Sequence, residues 1–316
     1  MFSTIRRPPT VRIFSPLLAA LVIMQGVTAS AVPNPGEATR WTMLDITPRN
    51  DVADSHLIEL PDGGRVLIDA GKVGDNPGAV LAQLKARNIT FLDLVIISHF
   101  HIDHYGALME LIEAGIMIKR VAVNVPQLAA ADREKPWGCN LDHVNATLES
   151  LHTHHIPFFT PKIGERLLES RTASGTVIAL DVVCLYDGLN SPIGLTDVND
   201  TSIIVRLSHG TTSVLFTGDL NHGLGACLAR SDFNLRADIL KAPHHGTEGT
   251  APNEFFDRVG AKAVLVPAPR SIWGSARSMR IRNYFIENNV PAYVSGLNGN
   301  VTVTLTDQGY QVETER

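Results

Sequence analysis

The sequence predicts an α/β fold in which two packed β-sheets carry helices on their outer faces. Strands and helices follow one another twice along the chain in similar series, which two sheets with helices outside would accommodate. Several apolar strands run directly into Asp, Gly or His, as in folds that place functional groups at strand ends. A chain of 316 residues, 44% hydrophobic and 19% charged, has enough apolar residues for a large core.

Residues 1–31 stand apart from that fold. Arg6, Arg7 and Arg12 precede an apolar run over 16–27, and Ala29-Ser30-Ala31 offers a small-x-small cleavage site. This is the pattern of a secretory signal peptide, because an apolar core of about twelve residues is too short to span a bilayer. The expectation is one exported domain over 32–316, periplasmic or extracellular, with no membrane anchor after the signal is removed. Taking the leader's three arginines from a formal net charge of −5 leaves −8. That acidity argues against strong general nucleic-acid binding, which needs clustered Lys and Arg. It leaves room for a small-molecule or oligomeric ester in a metal-lined cleft. Cys139, Cys184 and Cys227 are odd in number and lack CxxC spacing, so at most one disulfide is expected.

Residues 41–47 read as a strand, and 55–60 with 65–69 as a hairpin turned by Pro61-Asp62-Gly63-Gly64. The polar stretch 48–54 between them reads as an ordinary variable loop, with His56 beside it at the surface or behind the site. A helix over 77–87, with Pro at its start, precedes a buried strand over 92–97. A helix over 105–114 and a strand over 120–125 follow, and Pro126 opens a loop to 140. Asn140 caps a helix that runs to about residue 155. His152, His154 and His155 at its end are spaced too poorly to converge on one face, and the helix dipole favours them there anyway. The second half reads as a strand over 176–186, a hairpin over 201–207 and 212–216, and a short strand over 238–242. A helix over 253–259, a strand over 263–267, a helix over 278–288 and two terminal strands complete it.

Chemistry concentrates after the strand at 92–97. Ser98-His99-Phe100-His101-Ile102-Asp103-His104 places four metal-ligand types within six residues. If the strand ran on, His99 and His101 would share one side of the backbone. Asp103 and His104 must then diverge, which suits ligands for a second ion nearby. Two later strands end in Thr217-Gly218-Asp219 and in Lys241-Ala242-Pro243-His244-His245-Gly246.

The spacing His-x-His-x-Asp-His resembles the signature of the metallo-β-lactamase superfamily. With Asn199-Asp200-Thr201-Ser202, the two later motifs resemble those of the hydrolase domain of ComEC-type competence proteins. The resemblance covers residues 40–312, with the motifs in the family's order, but His101 stands where that branch often has Asp. It implies the αββα sandwich, with metals at one edge between the sheets. It also implies two divalent ions, zinc or alternatively manganese, with His99 and His101 on the first, Asp103 and His104 on the second, and Asp219 as the bridge. His245 is assigned to the second ion and His244 to the developing negative charge, with the reverse as the alternative. Asp69 is implied to hold the ligand loop rather than bind. The family's further His is missing between the His-rich motif and Asp219, so Asn199, Asp200 or water completes the first site.

The expected reaction is attack by a metal-bound hydroxide, with Asp103 and His244 in the catalytic roles, most readily on a phosphodiester or related phosphoester. Arg270, Arg277, Arg280 and Arg282 around Trp273 form the local basic run that would hold a phosphate. The competing readings are a lactone or β-lactam hydrolase and a non-catalytic metal-binding protein of the same fold.

Overall fold

Period-two alternation in the strands sorts the side chains into layers. In Thr39–Met43, Trp41 and Met43 face one apolar cluster together with Ile58, Val66 and Ile68, whereas Leu57 and Leu67 face another. The computed structural model describes residues 35–47, 50–72, 78–186 and 197–316, so the leader read in 1–31 lies outside the described residues.

One sheet has eight strands, in the spatial order Gly309–Thr314, Val301–Thr306, Thr39–Met43, His56–Glu59, Arg65–Ile68, Leu94–Ile96, Val121–Ala122 and Phe158–Phe159. The other has seven: Ala292–Val294, Ala263–Val266, Ile239–Lys241, Thr212–Phe216, Ile204–His209, Val177–Cys184 and Arg166–Arg171. Each sheet is part antiparallel and part parallel. In the first, pairing is antiparallel as far as Arg65–Ile68 and parallel beyond it. In the second, it is parallel as far as Thr212–Phe216 and antiparallel beyond it. The doubling visible along the sequence is thus a doubling of sheet topology.

Three apolar clusters define four layers. The central cluster joins the inner faces of both sheets, where the rings of Trp41 and Phe216 meet edge to face with centroids 4.8 Å apart. Val80 and Leu84 of Ala79–Ala86, Leu108 and Leu111 of Leu108–Glu113, and Val144 and Leu151 of Leu141–Thr153 cover the outer face of the first sheet. Leu224, Phe255, Phe256 and Phe285 bring helices onto the second. This is the α/β, αββα arrangement expected from the sequence.

The local differences have physical causes. The strand read over 92–97 divides at Asp93, whose carboxylate accepts from the Arg65 N–H at 3.0 Å, leaving Phe91–Leu92 to pair with Met117–Ile118. The loop read over 126–140 contains the helix Leu128–Glu134, built from good helix formers after Pro126 and Gln127. Two-residue strands such as Phe158–Phe159 are too short to show alternation. Asn140 does cap Leu141–Thr153, accepting from the Asp142 N–H at 3.0 Å. Cys139 and Cys227 are free thiols. Among the described residues, no helix is long and apolar enough to cross a membrane.

Candidate metal centre

The loops that carry chemistry leave the C-terminal ends of strands with parallel neighbours. Asp69 follows Arg65–Ile68, the His-rich loop follows Leu94–Ile96, Asp219 follows Thr212–Phe216, and the histidine pair follows Ile239–Lys241. His99 and His101 do not continue the strand. The Ser98 N–H goes to Oδ1 of Asp69 at 2.7 Å, which takes the backbone out of the ladder. Asp103 and His104 lie on the single turn Ile102–Tyr105, earlier than the helix read from residue 105.

His99 and His101 nevertheless converge, with Nε2 of the first 3.2 Å from Nδ1 of the second. That same Nδ1 lies 2.8 Å from Oδ1 of Asn199. Beside them, ligand atoms of Asp103, His104, Asp219 and His245 all lie within 4.8 Å of one another. Nε2 of His245 is 3.1 Å from Oδ2 of both Asp103 and Asp219, and Nε2 of His104 is 3.3 Å from Oδ2 of Asp219. The His99 and His104 rings, with centroids 4.1 Å apart, bring the two groups together.

Three of the outward nitrogens are also held. Nδ1 of His104 donates to Asp69 at 2.8 Å, and Nδ1 of His245 donates to the Pro267 carbonyl at 3.0 Å. Nδ1 of His99 is 3.1 Å from Oγ of Ser98, whose own proton goes to Asp69 at 2.8 Å. For these three rings the partner fixes the tautomer and turns the other nitrogen inward as a lone-pair donor. Nε2 of His101, 3.7 Å from Glu134, is buried without a hydrogen-bond partner. Inside the cluster Nε2 of His104 is buried with no hydrogen-bond partner, which suits a metal ligand. The donor set of imidazoles and carboxylates fits borderline and hard divalent ions.

Burial opposes a charge on His104 and His245, but the surrounding carboxylates outweigh it. His104 is raised well above the ordinary value and His245 to about 9. Burial likewise opposes ionised Asp219, yet His245, His104 and Lys241 hold its carboxyl well below the usual range. Burial, with His245 and His101 adding to it against Asp219 and Asp103, lowers His244, which lines the cleft instead of entering the cluster; its Nδ1 is buried without a partner.

Backbone strain collects here. Asp69, His244 and His245 have φ of 60°, 48° and 52°, a costly region for residues with a Cβ. Gly218, with φ of 49°, has no Cβ for a different reason as well: one built there would lie 2.4 Å from Oγ of Ser202. That hydroxyl accepts from the Asp219 N–H at 3.0 Å, so the close approach is what orients Asp219.

A second group, Asp54, Asp69 and His104, also has ligand atoms within 4.8 Å of one another. Its oxygens already have cations and donors. The Lys241 ammonium contacts Oδ2 of Asp54, Nε2 of His56 lies 2.6 Å from Oδ1, and Asp69 serves Ser98 and His104. The stretch read as an ordinary loop is therefore tied into the site, with the Asp54 N–H donating to the Asp103 carbonyl at 3.0 Å. His56 is buried behind it, not at the surface. Sequence reasoning missed the parts played by Asp54 and Lys241. The available signal was a lysine inside the apolar strand Ile239–Lys241.

The cleft above has a volume of about 770 Å³. Glu134, Asp197, Asp51 and Glu248 line it; Lys72 is paired with Asp51, and Arg277 with Glu248 at 2.7 Å. The basic run does not gather on this cleft. Arg280 bonds the Thr250 and Ala251 carbonyls, Arg282 bonds the Trp273 carbonyl, and of the four only Arg277 lines the opening. Asp200 is buried away from the cleft, and burial raises its carboxyl to about 7. His152, His154 and His155 are exposed and assemble nothing with the centre. Tyr105 is fully buried, 3.1 Å from His143, so it packs beneath the site.

A two-sheet sandwich with a histidine and aspartate centre at one edge defines a class of metal-binding folds. The family model described as the Metallo-beta-lactamase superfamily matches residues 49–266, and the chain belongs to that superfamily. It is similar to ComE operon protein 3 of Bacillus subtilis, 24% identical over 245 residues, which are 69% of this chain and 27% of the other. It is also similar to the uncharacterized protein YcaI of Escherichia coli, 26% identical over 119 residues, 37% of this chain and 16% of that one. The chain thus spans about a quarter or less of the curated relatives it matches. Among solved structures, CmlA, a diiron β-hydroxylase from Streptomyces venezuelae, shares the fold with a TM-score of 0.50 at 14% identity, over 87% of this chain and 55% of that one.

Proposed function

We propose that this chain is an exported, binuclear metal-dependent hydrolase whose first substrate class is phosphodiesters and related phosphoesters. The observation that carries this is the arrangement of four imidazoles, those of His99, His101, His104 and His245. His104 and His245 turn Nε2 toward Oδ2 of Asp219, His99 and His101 bring one nitrogen each to 3.2 Å from the other, and every ring faces an oxygen atom with its remaining nitrogen. Membership of a superfamily made up mostly of metal-dependent hydrolases supports the same reading.

In this reading His99, His101 and Asn199 would hold one ion, Asp103, His104 and His245 would hold the other, and Asp219 would be shared between them. Divalent ions, when bound there, would supply Lewis acidity for activating water and for charge growing on the ester oxygens. Zinc suits the imidazole-rich set, and manganese competes where carboxylate and amide oxygens dominate. Asp103, partly open to the cleft, accepts a proton from the attacking water. His244, kept neutral by burial, donates a hydrogen bond to the oxygen on which charge develops. The acidic cleft walls and the paired state of Lys72 and Arg277 favour a small ester over a polyanionic polymer. They also keep alive the second reading, hydrolysis of an uncharged lactone or β-lactam.

The decisive experiment assays Asp103→Ala/His104→Ala with bis-p-nitrophenyl phosphate and counts bound metal. Loss of turnover together with loss of metal is expected, and full retained activity would sink the assignment. A lactone and β-lactam panel at fixed metal content separates the two substrate readings. N-terminal sequencing of the exported protein tests the leader, with a start near Val32 expected.

A further inference from the structure

Lys241 is the one lysine among the buried polar and charged side chains of the described residues, at 1% exposure. Burial of an ammonium is tolerated only where every proton has an acceptor. Its Nζ contacts Oδ2 of Asp54, lies 2.8 Å from the Gly218 carbonyl and 3.4 Å from Oδ1 of Asp219. Asp54 offsets the charge, and Gly218 ties the ammonium to the turn that delivers Asp219. The remaining proton is aimed at the carboxylate oxygen that does not face His104 and His245.

We propose that Lys241 is a positioning residue of the metal centre. Its ammonium holds Oδ1 of Asp219, so that Oδ2 alone is presented to His104 and His245. The inference rests on the metal-centre reading above. A purely structural lysine would need only the Asp54 contact to neutralise it. The approach to Asp219 gives it a second task, and the Gly218 contact fixes the geometry of that task.

The test separates charge from position. Lys241→Met alone would leave Asp54 buried and uncompensated, so the variants are Asp54→Asn and Lys241→Met/Asp54→Asn, with Lys241→Gln/Asp54→Asn as the conservative replacement. Each full-length protein is titrated with Zn²⁺ and with Mn²⁺ by calorimetry, and the Co²⁺ absorption spectrum is recorded. Asp54→Asn keeps the Lys241 contact to Asp219, so it sets the reference against which both double variants are read. The Met double variant should lose ten- to a hundredfold in one binding step, with an altered Co²⁺ spectrum. The Gln double variant, whose amide can still donate to Oδ1, should recover part of that loss. Both double variants titrating like Asp54→Asn, with an unchanged spectrum, would overturn the role of Lys241 and leave the metal centre standing. A wild type that binds no ion would overturn both. If the Met variant does not fold, Lys241→Gln/Asp54→Asn is read against Asp54→Asn: one weakened binding step with a shifted Co²⁺ spectrum supports the proposal, and an identical titration and spectrum overturn it.

Discussion

Oδ2 of Asp69 lies 2.8 Å from Nδ1 of His104, while Oδ1 of the same carboxylate accepts the Ser98 N–H at 2.7 Å. One carboxylate therefore sets both the start of the ligand loop and the ring orientation of a residue six positions further on.

Asp69→Asn should break that double duty, since an amide offers one acceptor where the carboxylate offers two. Metal affinity should fall about ten- to a hundredfold, the usual effect of removing the outer partner of a ligating histidine. Equilibrium dialysis against Zn²⁺ with metal analysis measures it. Unchanged affinity would mean that His104 is oriented without Asp69.

Gly218→Ala should be costly for two separable reasons. The residue has φ of 49°, and a Cβ would lie 2.7 Å from Cβ and 2.4 Å from Oγ of Ser202. A loss on the order of 1–3 kcal/mol is expected from strain and overpacking, measured by denaturant unfolding. Adding Ser202→Gly should return part of the stability by removing the clash. It should not return activity, because the Asp219 N–H then lacks its acceptor.

The metal-free protein should lose stability on the alkaline side. Burial disfavours charged His245, but Asp219 and Asp103 raise its pKa to about 9, above the ordinary value of 6.5. A pKa raised in the folded state gives a contribution fully present below about pH 6.5 and lost as pH rises through about 9. Metal competes with the same proton, so apparent metal affinity should rise over that window with proton release. Thermal melts of the metal-free protein from pH 6 to 9.5, and calorimetry in two buffers of different ionisation enthalpy, check both. Metal affinity that falls between pH 7 and 9 would remove His245 from the ligand set.

Asn199 should matter to one ion and not the other. Its Oδ1 is 2.8 Å from Nδ1 of His101, and it is not among the residues clustered with His104 and His245. Asn199→Ala should therefore weaken one of two binding steps and leave the other near wild type. Asn199→Asp, which adds a charge at the same place, should tighten it. Equal weakening of both steps in the alanine variant would argue for general damage to the loop.

Much of the centre is legible in the chain because its donors are local or motif-bound. Four of the ligand types sit within six residues, and Asp219 and His245 each end a short apolar strand that periodicity exposes. The αββα layering is legible for the same reason, since period two in the strands and apolar helix faces need no distant information. Where helix formers such as Leu128 to Ala131 followed a proline, the local reading gave way, and two-residue strands left no pattern to find.

What only the tertiary structure decides is which neutral or oppositely charged groups meet the ligands. Asn199 reaches His101 across 98 positions, and the Lys241 ammonium lies between Asp54 and Asp219. Neither contact has a periodicity or a spacing, because each is set by how two sheets pack and by the cost of burying an unpaired polar group. Residue order alone carries the candidate ligand types, the strand ends that deliver them and the sandwich that holds them. Packing determined their orientation, since the partners of each imidazole come from other strands and other loops.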